Sequence, residues 1–321
     1  MIVDFQLSEE QQLIEDSISG LLAERLPVER LRETGSHFGA AEHRLLPAFA
    51  ELGLFGLAVP EAQGGIGLGI AEEALAAKAL GRHLASPSLL AQMVAPHLAE
   101  DNEERATLIA GASSAAFANR LAPTGVQLFD AGSATRIVLL DDGARLIATP
   151  ASAESVDGLD EAVAMARGDD DYPAGSRNMI ADRISLLFAA YLAGIAQATL
   201  EMAVAYAGTR EQFGQPIGAF QAIKHQCADM AVRAAAAEAQ VLQAAITFGA
   251  GGDDRAEAAA ARLLATDAAL ANAKANIQIH GGMGFTAECD AHLFLKRAHL
   301  IAALGSSKRA EQARLLGSEA A

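Results

Sequence analysis

Apolar positions recur at helical spacing in the first and last thirds of the chain and at strand spacing between them. Near the N-terminus Ser8 and Gln11 have the form of a capping box, and Ile14, Ile18, Leu21 and Leu22 then share one face. The stretch RLLPAFAELGLFGLAVPEAQGGIGLG is punctuated by Gly53 and Gly56. Its AQGGIGLG segment (62–69) reads as a flexible loop; no Lys-Ser/Thr pair follows, so it is not a phosphate loop. Further helices are predicted from Ile70 to about Leu84 and from Pro87 to Ala99.

The texture changes between about 103 and 176. TRIVLLDDGARLIATP reads as two apolar strands around Asp142-Gly143, a hairpin signal. The segments around it are short and broken by Gly, Ser and Asp, as in a small β domain. RGDDDYPAGS (167–176) reads as a solvated acidic linker.

From Arg177 onward the pattern is helical again. Met179, Leu187, Tyr191, Ile195, Ala198 and Met202 form one apolar stripe on a long helix. A second long helix is predicted over roughly 218–248, with a glycine turn in FGAGGDD (248–254). A third covers about 254–279, QIHGGMG interrupts it, and a shorter one covers about 287–302. Long antiparallel helices joined by short turns make a four-helix bundle. The predicted fold is mainly α with a small β domain: an N-terminal helical domain (1–102), a short middle β domain (103–176) and a C-terminal four-helix bundle (177–321).

Composition narrows the partners. The net charge of −16 repels nucleic acid and anionic membrane surfaces, so neither is expected. Cys227 and Cys289 are far apart and lack metal-ligand spacing; they read as free thiols of a reducing compartment, and no metal is expected. The reading finds no apolar run of ~20 residues, and MIVDFQLSEEQQ is too acidic for a signal peptide, so a cytoplasmic location is expected.

Two segments carry candidate chemistry: TREQFGQPIGAFQAIKHQCADM (209–230) and QIHGGMGFTAE (278–288). Each has a plain reading. Arg210 and Gln212 suit an exposed helix end, Phe213, Ile217 and Phe220 suit a core, and HGGMG suits a helix C-cap. The functional reading is an anion site, in which an arginine and glycine-freed backbone amides meet a pyrophosphate. Gly281 and Gly282 would admit a ligand closely.

Taken in this order, the two segments resemble the acyl-CoA dehydrogenase family, and ELGLFGLAVPEAQGGIGLG is similar to that family's N-terminal domain. The likeness spans nearly the whole chain. It implies a flavoenzyme in which a carboxylate removes the α-proton of an acyl-CoA while the β-hydride passes to FAD. A hydrogen-bonded thioester carbonyl stabilises the developing enolate. The electrons then pass to an electron-transfer flavoprotein. It also implies that each FAD is shared between two chains. The neighbour's contribution to the ADP half maps here onto Arg210, Gln212, Phe213, Gln278, Gly281 and Gly282, with Gln221 as an added polar contact.

The ring-covering set does not map. The family's Thr-Glu-Pro-Gly-Ala-Gly-Ser-Asp-like loop has only FANRLAPTGV (117–126) as its nearest counterpart, and the Trp-x-Thr/Ser segment is missing because the chain has no tryptophan. The middle domain is shorter than the resemblance implies. The catalytic Tyr-Glu-Gly-Thr turn falls on LIAALGSS (300–307), where counting from Gln278 lands on Gly305, or on Leu304 if the glycines are matched. The alternative family position for the base, counted back from Arg210, lands on Ile184. None of the three is a carboxylate. Asp182 is a candidate substitute, but two residues turn a side chain ~200° around a helix. Glu311 is another, expected to be solvated beyond the loop. Glu288 reads as structural. His280 and His299 titrate near neutrality when free, and His280 reads as a packed helix-end residue.

The expectation is therefore a subunit of a heteromeric acyl-CoA dehydrogenase. It donates the ADP-side FAD half-site and lacks the base, while a homologous full-length subunit supplies the base and holds the acyl-CoA. It resembles the short subunit of α2β2 actinobacterial-type enzymes of steroid side-chain breakdown. Two alternatives stay open: a self-sufficient homo-oligomeric dehydrogenase with an unusual base, and a structural or regulatory subunit without flavin.

Overall fold

The computed structural model describes residues 5–32, 42–121, 124–141, 143–169, 172, 179–248, 250 and 254–317. Helix α1 (Glu9–Arg25) opens on the predicted capping box, with Gln11 N donating to Ser8 Oγ at 3.2 Å and Ser8 N to Gln11 Oε1 at 3.1 Å. It buries Ile18 and Leu22. Helices α2 (Leu46–Glu51), α3 (Ile70–Arg82) and α4 (Pro87–Val94) complete the predicted N-terminal set. α4 is shorter than predicted, because Pro96 removes a backbone donor and the chain tightens into a 3-10 turn at Ala95–His97. The loop 62–69 is not free: Ile66, Gly67 and Leu68 donate their amides to Gly56, Val59 and Leu57. Gly65 lies so close to Val59 that a Cβ there would stand 2.0 Å from its carbonyl oxygen.

A helix missed by the sequence reading, α5 (Asn102–Ile109), starts the middle segment, capped by Asp101. Six strands follow: β1 (Ala115–Arg120), β2 (Val126–Phe129), β3 (Arg136–Leu140), β4 (Ala144–Ala148), β5 (Glu154–Val156) and β6 (Met165–Gly168). They form one sheet in the order β4-β3-β1-β2-β6-β5, in which only β1 and β3 run parallel. The predicted hairpin is β3–β4, with Leu140 opposite Ala144; Asp142 at its tip lies outside the described residues. Arg167 and Gly168 belong to β6 and not to a linker; most of the remaining linker stretch lies outside the described residues.

The last third holds α6 (Met179–Thr209), a two-residue-strand hairpin β7 (Glu211–Gln212) and β8 (Gln215–Pro216), α7 (Gln221–Thr247), α8 (Asp254–His280), α9 (Ala291–Ala303) and α10 (Lys308–Leu315). α10 was not foreseen, because its sequence is polar nearly throughout. α6 is buried on every side from Ile184 to Ala196, where the sequence suggested one stripe. By length and composition it does contain a run apolar enough to cross a membrane, which corrects the sequence reading. It is the central helix of the bundle, packed by α3, α7 and α8, and an apolar surface all round suits that place.

α3 and α6 meet at two glycines. A Cβ on Gly81 would lie 1.9 Å from Tyr191 O, and one on Gly194 would lie 2.1 Å from Lys78 O. This approach locks the N-terminal helices onto the bundle. One buried side chain ties all three parts together. Arg297 on α9 donates to Asp160 Oδ2 at 2.5 Å and to the Leu84 and Ala85 carbonyls at 2.6 Å. It also reaches the Tyr191 hydroxyl at 3.0 Å.

Candidate functional site

The two sequence motifs meet at one end of the bundle. Tyr206, one turn before the end of α6, accepts the Arg210 amide at 2.8 Å and stacks on the His280 ring, with centroids 4.1 Å apart and planes 22° apart. His280 ends α8 and leads straight into Gly281. Ala203, Ala207, Met230 and Ile279 form the core beneath. Arg210, Gln212, Gln221, Gln278, Gly281 and Gly282 all stand exposed on this surface. Phe213 is 93% exposed, so its core reading is overturned. The β7–β8 turn presents it at φ 53°, a costly backbone for a bulky residue, edge-on to Phe220 at 6.1 Å. Met283 and Phe285 add exposed apolar surface beyond the glycines. A Cβ on Gly281 or Gly282 would meet nothing within 4 Å. Internal packing therefore gives no reason for Gly282, while an incoming ligand would gain room from it. An exposed guanidinium beside open glycine backbone fits the pyrophosphate half of a dinucleotide such as FAD.

The ring-side positions converge elsewhere. Ile184 of α6 and Leu304 and Gly305 of the turn after α9 line a single cavity. Its other walls are Phe188, Arg262 of α8, Arg314 of α10, and the β3–β4 hairpin at Leu140, Asp141 and Gly143. The cavity measures only about 20 Å³, the scale of one water, so these residues do not fit a flavin ring or an acyl chain.

Several contacts hold it shut. Asn119 of β1 donates to Ala303 O and accepts from Gly305 N, each at 2.8 Å. Arg262, stacked over the Phe188 ring at 4.7 Å, donates to the Ile301 carbonyl at 2.5 Å and the Leu304 carbonyl at 3.2 Å. Burial pushes the Arg262 guanidinium down to about 10. Glu311 is buried, not solvated, which corrects that expectation. It pairs with Arg314 at 2.8 Å and accepts from Ser306 and, at 3.3 Å, from Ser185. Neither Glu311 nor Asp182 is on the cavity wall.

Sequence reasoning missed Asp141, the carboxylate that does reach the wall. Its oxygens are taken by Gly143 N, at 2.9 Å, and by Arg145. The sequence signal was present in the hairpin itself, since an Asp at its first corner accepts the amide two residues on. His280 is packed as expected, and its Nδ1 donates to Asn276 O at 2.9 Å. Glu288 is exposed, and His299 is held below its usual range by burial. Among the described residues no cluster of His, Cys, Asp or Glu has the form of a metal site.

This architecture is that of the acyl-CoA dehydrogenases, and the comparisons agree. Residues 8–104 match the acyl-CoA dehydrogenase N-terminal domain and 178–307 the C-terminal domain. The chain is 35% identical to acyl-CoA dehydrogenase IpdE2 of Mycobacterium tuberculosis, over 97% of each chain. Its fold is that of a chain of the ChsE4–ChsE5 complex from M. tuberculosis (TM-score 0.78, 19% identity, 99% of this chain and 100% of that one). It is also that of a chain of the Tcur3481–Tcur3483 steroid enzyme (TM-score 0.79, 23% identity, 96% and 97%). The chain belongs to the acyl-CoA dehydrogenase family, whose members are FAD-dependent oxidoreductases.

Proposed function

We propose that this chain is the half-site subunit of a heteromeric acyl-CoA dehydrogenase that introduces an α,β double bond into an acyl-CoA thioester. The contrast between the two ends of its bundle carries this reading: an open, exposed motif surface at Arg210 and a cavity too small for a ring at Leu304.

FAD, when bound, supplies the hydride acceptor. In this chain Arg210 would pair with the pyrophosphate, Gln212, Gln221 and Gln278 would offer hydrogen bonds, and Phe213 would cover the apolar part of the nucleotide. Gly281 and Gly282 would let backbone amides approach. The proton would leave to a carboxylate of a homologous full-length partner, which would also hold the acyl-CoA. An electron-transfer flavoprotein would take the electrons. The steroid enzyme among the fold neighbours makes a ring-bearing acyl group the favoured substrate class, and a cytoplasmic location fits this role.

A second reading has one observation behind it. Asp141 lines the cavity where both family base positions meet, so a self-sufficient enzyme would have to open that cavity and free Asp141 from Arg145. The deciding experiment is the visible spectrum of the chain alone and of its complex with a full-length relative. A colourless lone chain and a yellow complex with one flavin per pair of chains are expected. A yellow lone chain bleached by an acyl-CoA would overturn the half-site role.

A further inference from the structure

Five ionisable groups sit together where the sheet meets the N-terminal helices: Glu42, Asp130 and Asp160 against Arg30 and Arg297. The three carboxylates are buried. Arg30 pairs with Glu42 at 2.7 Å and Arg297 with Asp160 at 2.5 Å. Both cations are thereby held in ion pairs, and among the described residues Asp130 hydrogen-bonds to neutral groups, Ser86 and Ala164, with Arg297 acting on it only through space. Its Oδ2 lies 2.5 Å from Ser86 Oγ, at the cap of α4, and its Oδ1 accepts the Ala164 amide at 2.7 Å. The Asp130 amide returns a bond to Ala164 O at 2.7 Å. Asp130 also holds a left-handed backbone at φ 50°, so the loop after β2 is bent to bring this carboxyl inward.

The hydroxyls around it serve either protonation state. Ser86 Oγ accepts the Ser88 amide at 3.1 Å and lies 2.8 Å from Ser88 Oγ, with either hydroxyl able to donate. With Asp130 ionised, Ser86 donates to the carboxylate. With Asp130 protonated, the carboxyl donates to Ser86, which turns its own hydrogen to Ser88. What changes between the states is charge: a neutral cluster gains an uncompensated negative charge beside Glu42, whose Oε2 already accepts the Ser86 amide at 2.6 Å.

We infer that Asp130 is a proton-operated latch: protonated, it fastens the loop after β2 to the cap of α4, and ionised, it loosens that junction. The latch holds whether or not the chain pairs with a partner, since every group in it belongs to this chain.

Burial, partly offset by Ser86, Ala164 and Arg297, pushes the Asp130 carboxyl up to about 7. The folded state therefore keeps a proton that the unfolded chain gives up near 4. The stability that the Asp130 proton contributes is fully present at the acidic end and is lost as pH rises through about 7. His43 and His83, held low by burial, work in the opposite direction, and they are common to wild type and variant. Arg297, held up by Asp160, and the Tyr191 phenol, pushed up to about 12 by burial, keep their charge states across this range.

The test is urea unfolding of the full chain and of Asp130→Asn between pH 5 and 8, with hydrogen exchange at Ser86, Ser88 and Ala164. The wild-type folding constant should fall by on the order of a hundredfold relative to the variant over that range. Exchange at the three amides, corrected for intrinsic rates, should speed up in wild type alone. Equal pH slopes in the two proteins would overturn the latch. If Asp130→Asn does not fold, ¹³C-carboxyl NMR of the wild type decides: an aspartate titrating near 7 supports it, and none above 6 overturns it.

Discussion

Asn119 grips Gly305 across the domain boundary. The side-chain oxygen of this β1 residue accepts the Gly305 amide, and its nitrogen donates to the Ala303 carbonyl two residues back, at the end of α9. A turn that resembles the family's catalytic turn is thus tied by its backbone to this chain's own sheet, with Leu304 buried within it.

Replacing Asn119 with Ala removes both bonds at a partly exposed position, at a cost of about 1 kcal/mol. Thermal melting should record that loss. The flavin content of the complex should stay unchanged, because the half-site reading gives this turn no contact with flavin; a fall in flavin content would place the ring on this chain's side.

Arg210→Ala should leave assembly intact and weaken FAD retention by tenfold or more, from the loss of a charge-assisted contact worth about 1.5–3 kcal/mol. Dialysis of the complex followed by the flavin absorbance ratio measures it. Arg210→Lys should recover only part, since a lysine offers a point charge without the planar fork. Full retention in Arg210→Ala would remove Arg210 from the site.

Phe213 tests whether strain is held for function. A phenylalanine at φ 53° costs about 1–2 kcal/mol, and its ring gains little burial within this chain. Phe213→Gly should therefore leave the isolated chain as stable as wild type or more so, while lowering flavin retention in the complex. Chemical denaturation and flavin absorbance, read side by side, separate the two effects.

The long helices were legible because their apolar spacing runs through Met179, Leu187, Tyr191 and Ile195, and the first helix because Ser8 and Gln11 write its cap locally. Burial on every side of α6 was not legible. It depends on Gly81 and Gly194 letting two backbones touch, and an isolated glycine in a helical pattern does not announce its partner. Phe213 was misjudged for the same reason: its composition says core, while a left-handed turn in the chain points it outward. Glu311 was misjudged because α10 is polar along its length, while Ser185, Ser306 and Arg314 make its burial tolerable. Arg210, Gln278 and Gly281 could be nominated from the sequence because their motifs are spelled out in order, and the fold leaves all three exposed. The Asp130 cluster could not, because its members lie far apart in the chain and only the fold counts their charges together.

Asp141 separates the half-site enzyme from a self-sufficient one. In a complex with a full-length relative, Asp141→Asn should keep turnover within about twofold of wild type, because both carboxylate oxygens are already taken by Gly143 N and Arg145. A drop of a thousandfold or more would identify it as the base. A pH–rate profile guards against a merely structural loss, because removal of a base erases the acidic limb and a folding defect does not.

The two glycines make the sharpest demand on the fold. Alanine is the better helix former by about 1 kcal/mol, so on propensity alone Gly81→Ala and Gly194→Ala should stabilise. Here each methyl would sit about 2 Å from a carbonyl oxygen of the facing helix, well inside contact distance. α3 and α6 would have to separate along their shared length, with Tyr191 and its bond to Ala85 moving too. The expected result is a net loss of about 3 kcal/mol or more for either variant. The double variant should cost less than the sum, because one separation relieves both clashes. Urea denaturation of the three variants measures this, and strict additivity would mean that the two contacts yield independently.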